Sequence, residues 1–154
     1  MAGFYKTAAC SVLKQMESGG MLTPFFLIEP DYSDPDTYCF ITVSNGCCKG
    51  SMAIYLEMGV LLGVVNALRD NDAGGTYSSR TFDLADKDVT NIGFDVFSLG
   101  SKKILRTTLV NTYDETLSFR CEIDIPLTLE ESTEFAEDLN QWVKNPAYQF
   151  IWKK

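Results

Sequence analysis

The sequence predicts an α+β fold of two tandem ββββα repeats, with antiparallel sheets and the two helices packed together. Three observations predict it. Residues 52–72 and 123–143 share one apolar pattern at a gapless offset of 71 positions, which lays Ile54 on Ile125 and Leu68 on Leu139. Each of these segments passes from the two-residue period of a strand to the 3.6-residue period of a helix. Turn signals rich in Gly, Asn, Asp and Pro separate the other apolar runs.

The first half of the chain is predicted to form four strands and a helix. The strands are expected at residues 4–16, 22–28, 38–44 and 51–56, and the helix at residues 58–69. Gly19-Gly20 follows the first strand, and Asn45-Gly46 is a tight hairpin signal after the third. The segment Asn-Asp-Ala-Gly-Gly at residues 71–75 ends the helix and links the two halves.

The second half repeats this order, with strands expected at residues 77–84, 93–99, 103–112 and 117–125. Thr128 and Glu131 form a capping box, in which the hydroxyl accepts from the third helical amide and the carboxylate reaches back. Asn145-Pro146 ends the helix that follows. We expect the aromatic and basic tail, residues 147–154, to pack back on its own fold rather than to contact a ligand. The prediction is therefore one domain, 1–154, with repeats at 4–72 and 76–146.

Length and composition limit the class of protein. A chain of 154 residues with 45% apolar content can bury one compact core, and no apolar stretch approaches the length of a membrane span. The N-terminus lacks the apolar region of a signal peptide. It also lacks the arginines of a transit peptide, because the first arginine in the chain is Arg69. The five cysteines, an odd number with an adjacent pair and no CxxC spacing, argue against a disulfide framework and a zinc site. We expect an intracellular, cytoplasmic protein from a bacterium or a phage-infected host.

The absence of histidine removes much catalytic chemistry. No His-containing triad, histidine metal site or imidazole base is possible. No GKS or GKT sequence occurs, and Gly74-Gly75 precedes a strand rather than a helix, so a phosphate-binding loop is not expected. Cys47-Cys48 follows a hairpin signal, where a structural or incidental role is expected. The sequence predicts a protein that is not an enzyme and uses neither a metal nor an organic cofactor.

Four segments carry a resemblance to a known family. They are the start YKTAA at residues 5–9, the strands PFFLIEP at 24–30 and YCFITVS at 38–44, and the junction IDIPLT at 123–128 with Glu131 behind it. With the order of four strands and a helix, twice, the chain resembles the Whirly proteins and, more distantly, the transcriptional-coactivator type of single-stranded DNA-binding fold. Thr7 and Ala8 replace the glycine and the second lysine of the YKGKAA-type start of that family.

The resemblance implies that single-stranded nucleic acid binds to sheets projecting from a helical oligomer core. The net charge of −8 opposes phosphate binding, but the acidic residues concentrate in turns and on the second helix, whereas the strands are locally basic. The phosphate candidates are Lys6, Lys14, Lys102, Lys103 and Arg106, and the stacking candidates are Tyr5, Tyr38 and Phe40. Two alternatives stay open: aromatic residues in strands usually face a core, and residues 102–106 fit a solvated hairpin equally well.

Two functions from different classes follow. The first is a sequence-independent single-stranded DNA-binding protein in replication, recombination or repair, with single-stranded RNA as a variant. The second is a protein-binding module or acidic inhibitor, with a phage origin as one option, on the same fold. The helix stripes exceed what one sheet face can cover, which predicts a dimer or tetramer without a membrane partner. The expected interface residues are Val64, Leu68, Phe135, Leu139 and Trp142.

Overall fold

A computed structural model of the protein describes residues 11–12, 23–31, 38–70, 74–82, 88–112, 118–146 and 148–154. It is α+β, with two antiparallel sheets and two packed helices, as the sequence predicts. In chain order the elements are β1 (Ser11–Val12), β2 (Phe25–Pro30), β3 (Tyr38–Ser44), β4 (Cys48–Tyr55), α1 (Met58–Arg69), β5 (Gly75–Phe82), β6 (Asp88–Leu99), β7 (Lys102–Asn111), β8 (Phe119–Leu127), α2 (Leu129–Lys144) and β9 (Phe150–Lys153). The arrangement is consistent with two ββββα units.

The two halves correspond most closely at their last strand and helix. β4 and β8 begin at residues 48 and 119, and α1 and α2 begin at residues 58 and 129. Both separations equal the 71-residue offset of the sequence pattern. One hairpin leads into β4 and another into β7: Gly46 adopts a φ of 92° and Gly100 a φ of 61°, a region that favours glycine. Of the predicted strand at residues 4–16, only Ser11–Val12 lies among the described residues.

The halves differ at the outer strands of their sheets. The first sheet has the order β1-β4-β3-β2-β9, and the second has the order β5-β6-β7-β8. Thus β9, at the end of the chain, takes the place beside β2 that β5 takes beside β6. The prediction that the tail packs back on its own fold is confirmed, because β9 pairs with β2 from Phe25↔Lys153 to Ile28↔Phe150.

Aromatic packing holds the tail in place. Phe150 and Trp152 point into the core with 4% of their surface exposed. The Phe135 ring on α2 lies 5.7 Å from Phe150, 5.1 Å from Trp152 and 5.6 Å from Phe26 on β2. Such ring pairs contribute about 0.5–1.5 kcal/mol each beyond the area that they bury. The tail is therefore part of the core of the first sheet.

The two sheets and the two helices approach closely at small residues. A Cβ added to Gly50 on β4 would lie 3.0 Å from Leu109 Cδ1 and 3.1 Å from Cys121 Sγ of the second sheet. The helices join through the Ser132 hydroxyl, which donates to the Leu68 carbonyl at 2.7 Å. These contacts make one continuous core from both sheets and both helices.

The predicted capping box begins α2. Thr128 Oγ1 accepts from the Glu131 N–H at 3.1 Å, and Glu131 Oε2 accepts from the Thr128 N–H at 2.8 Å. The reciprocal pair satisfies two amides that lack intrahelical partners. This prediction is confirmed. Two residues three positions apart are therefore sufficient to indicate where α2 begins.

The apolar stripes of the helices are covered within one chain. Val64, Leu68, Phe135 and Leu139 each keep 1% of their surface or less exposed, and Trp142 is half-buried. An interface was predicted because one sheet face cannot cover both helices, whereas two sheets and the tail enclose them in the structure. Side chains already buried leave almost no area for a partner to cover, so the structure gives these four no interface role.

The state of one cysteine differs from what the sequence predicts. Cys121, which is 2% exposed, is disulfide-bonded, whereas Cys39, Cys47 and Cys48 are free. An odd count and an adjacent pair argue against a disulfide framework but do not prevent a single bond. Because disulfides are rare in cytosolic proteins, this bond weakens the cysteine-based expectation of a reducing compartment.

Candidate nucleic-acid interface

Strand alternation gives the first sheet an inner and an outer face. On β3, Cys39, Ile41 and Val43 are buried on the inner face, whereas Tyr38 and Phe40 are half-buried on the outer face. β2, β3 and β4 are antiparallel and in continuous register, so outward side chains of neighbouring strands lie in rows. We call this surface the outer face.

One end of the outer face is aromatic. Tyr38 lies opposite Tyr55, with ring centroids 4.7 Å apart, and Phe40 lies two positions further along β3. Tyr55 keeps 41% of its surface exposed. We call Tyr38, Phe40 and Tyr55 the aromatic end. An open depression of about 340 Å³ adjoins it, and its lining residues are Glu29, Pro30, Asp31, Tyr38, Cys39, Phe40 and Ala53.

The other end of the outer face carries two lysines around an aromatic ring. Phe25 pairs with Lys153 on one side and with Ser44 on the other, and Ser44 in turn pairs with Lys49. The Lys49 Nζ lies 6.0 Å from the centroid of the Phe25 ring. We call Phe25, Lys49 and Lys153 the cationic end. Its two ammonium groups can contact an anionic backbone while the ring offers a stacking surface.

The middle of the outer face is polar and nearly buried on β3 and β4 only. The Thr42 and Ser51 hydroxyls lie 3.0 Å apart, and these side chains are only 5% and 9% exposed. In the same row, Leu27 is half-buried and Ile151 is 43% exposed, so an apolar strip on β2 and β9 joins the two ends. The ends are separated by six residues of β3, or about 20 Å at 3.4 Å per residue.

The structure brings together only part of the predicted site. Tyr38 and Phe40 lie on the outer face, whereas Tyr5, Lys6 and Lys14 lie outside the described residues. Five outward residues at the two ends were not predicted from the sequence, namely Phe25, Glu29, Lys49, Tyr55 and Lys153. The Asn45-Gly46 hairpin could have revealed two of them, because its register places Tyr55 and Lys49 beside the outward residues of β3. Nothing local to the tail indicated Lys153.

Lys103 was predicted as a phosphate ligand, and the structure contradicts this. Its side chain is fully buried, and its ammonium donates to the Ala67 carbonyl at 2.5 Å, to the Leu68 carbonyl at 3.4 Å and to the Asp70 carbonyl. These carbonyls belong to the end of α1, where helices leave oxygens without intrahelical partners and carry partial negative charge. Lys103 therefore caps the C-terminal end of α1 and is not accessible to a ligand.

Arg106 lies on the outer side of the second sheet among carboxylates. Its Nε and Nη2 donate to Asp124 at 2.7 and 2.9 Å, and Glu122 lies 3.3 Å away. The hydrogen bond to Asp124 raises the pKa of Arg106, and the charges of Asp124, Glu122 and Asp95 add to the rise. The guanidinium is thus already neutralised. Lys102 is exposed, but it points to the opposite side of the second sheet from Lys103. It also lies on a different sheet from the outer face.

Within the part of the chain that the structure describes, no group of three or more His, Cys, Asp or Glu residues could hold a metal ion. The helices in the same ranges are too short or too polar to cross a membrane. Comparison with known proteins found no matching family model, no matching curated protein and no matching solved structure.

Proposed function

We propose that this protein binds single-stranded nucleic acid, with DNA favoured, on the outer face of its first sheet, without requiring one sequence. The observation that carries the proposal is the placement of aromatic rings and lysines on one sheet face. Phe25, Phe40, Tyr38 and Tyr55 face the same side as Lys49 and Lys153. Stacking contributes about 1–3 kcal/mol per base and tolerates any base, because every base has a π-face.

The charge of the rest of the chain orients a bound strand. The exposed acidic residues of α2, which include Glu130, Glu134 and Glu137, lie on the helix side of the first sheet rather than on its outer face. They repel phosphates from that side, whereas Lys49 and Lys153 attract them to the opposite side. A net charge of −8 is thus compatible with binding at one face.

The resemblance to the Whirly proteins supports the same ligand and rests on the sequence alone. It places the activity in replication, recombination or repair and implies a homo-oligomer. An intracellular setting in a bacterium or a phage-infected cell belongs to the same proposal. Because the helix stripes are buried within the chain, an oligomer would have to form through another surface.

The test is a fluorescence-anisotropy titration of the full chain with single- and double-stranded oligonucleotides at two salt concentrations. We expect the single strand to bind more tightly, with affinity falling as salt rises. Lys49→Gln combined with Lys153→Gln should weaken binding and reduce the salt slope by about 1.4, since each lost phosphate contact removes about 0.7 for single strands.

The matched control neutralises two exposed lysines away from the outer face, with Lys102→Gln and Lys144→Gln combined. It changes the net charge equally and should leave most of the slope intact. Equal slopes for the two double variants would contradict the placement of the site. If no oligonucleotide binds at low salt, the proposal fails and the acidic protein-binding module becomes the better interpretation.

A further inference from the structure

We propose that the aromatic end of the outer face selects guanine, through hydrogen bonds from the base to the Glu29 carboxylate. The inference rests on the proposed function and adds a base preference at one position of a face that otherwise stacks any base. Its basis is the pairing of an exposed carboxylate with an aromatic ring beside an open depression.

The register of β2 and β3 sets the geometry. Glu29 lies directly opposite Phe40, and both side chains point outward. Directly opposed Cβ atoms in an antiparallel pair are about 4.5–5.5 Å apart, so a base stacked on the Phe40 ring presents its edge to the Glu29 carboxylate. Both residues line the depression of about 340 Å³, which lies within the size range of small-molecule sites.

Charge at this end favours contact with a base rather than with a phosphate. Among the described residues, those that line the depression include two acids, Glu29 and Asp31, and no lysine or arginine. A carboxylate repels phosphate oxygens, whereas it accepts hydrogen bonds from the N–H groups of a base. A nucleotide here is therefore held through its base, and phosphate contacts belong to the cationic end, which lies four residues, or about 14 Å, further along β2 and β3.

Guanine fits a carboxylate better than the other bases do. Its Watson–Crick edge presents two adjacent donors, N1–H and the N2 amino group, which match the two oxygens of one carboxylate. Adenine and cytosine offer one amino donor beside a ring acceptor, and thymine and uracil offer one N–H between two carbonyls. An arginine of a partner protein also suits a carboxylate and aromatic rings, but Lys49 and Lys153 on the same face repel a basic partner.

The experiment compares three twelve-nucleotide strands, dT12, d(TG)6 and d(TI)6, by anisotropy in a lithium buffer. Inosine keeps the N1–H donor of guanine and lacks the N2 amino group. We expect d(TG)6 to bind about tenfold more tightly than dT12, with d(TI)6 between them, because a bidentate pair contributes about 1–3 kcal/mol. Glu29→Gln should reduce the preference for d(TG)6 to about twofold.

Glu134→Gln on α2 is the matched control, because it makes the same change at an exposed carboxylate on the helix side of the sheet. It should keep the full preference. Equal binding of the three strands, or an unchanged preference in Glu29→Gln, overturns the guanine assignment and leaves the proposed function standing. If an arginine peptide binds in a Glu29-dependent way and no strand competes with it, both the assignment and the proposed function fail.

Discussion

Replacing Lys103 with methionine tests whether this lysine stabilises the end of α1, as the structure indicates, rather than binding phosphate, as its charge suggested. The buried ammonium donates to the Ala67, Leu68 and Asp70 carbonyls at the end of α1. Methionine keeps most of the aliphatic length in the core but offers no donor, so the carbonyls lose a charged partner. Lys102→Met is the matched control, since it makes the same substitution at the next residue, which is exposed.

The magnitude follows from the three acceptors. A hydrogen bond to a charged group contributes about 1.5–3 kcal/mol, and the Ala67 and Asp70 carbonyls form the two closer bonds. Their loss is partly offset because methionine avoids the cost of burying an ammonium. We expect Lys103→Met to lower the free energy of unfolding by about 3 kcal/mol, which corresponds to a fall in Tm of about 6–12 °C for a chain of this size. Lys102→Met should stay within about 0.5 kcal/mol of the wild type.

The assay is urea unfolding followed by circular dichroism and by tryptophan fluorescence, without reductant, so that the disulfide bond of Cys121 is kept. Coincident transitions allow a two-state free energy to be extracted. A loss below about 1 kcal/mol in Lys103→Met, or equal losses in the two variants, would refute the helix-capping role.

Two further predictions test burial. The Thr107 hydroxyl is fully buried and has no hydrogen-bond partner in the described structure, so Thr107→Val should raise the free energy of unfolding by about 1 kcal/mol. Thr108→Val, at the half-exposed neighbour, should change it by less than about 0.5 kcal/mol, and a destabilised Thr107→Val would show that the hydroxyl is satisfied. Burial raises the pKa of the Cys39 thiol to about 12. Because the thiolate is the reactive form, about one Cys39 in ten thousand is ionised at pH 8 in the folded protein. Iodoacetamide should therefore label the exposed Cys47 first and Cys39 only after unfolding, as peptide mass spectrometry can show; equal native rates would disprove the burial of Cys39.

The sequence by itself determined the order and type of the described elements from β2 to α2, but not that the tail forms the strand β9. The helix predicted at residues 58–69 and the strand predicted at 38–44 have these bounds in the structure, and the capping box at Thr128 forms as expected. Periodicity, capping and hairpin signals act between residues that are close in the chain, so they can be read without knowing what packs against them. For the same reason, the two-residue period of a strand is enough to place Tyr38 and Phe40 on one face of β3.

The tertiary structure decided which distant residues meet. Alternation along β7 predicts that Lys102 and Lys103 point to opposite sides of the sheet. Only the packing of α1 against the second sheet shows that the Lys103 ammonium donates to backbone carbonyls at the end of α1. Likewise, only the docking of β9 beside β2 brings Lys153 next to Phe25 and completes the cationic end. The physical reason is that burial and charge pairing depend on the surfaces that the folded chain brings together, and residue types along the chain do not specify those pairings.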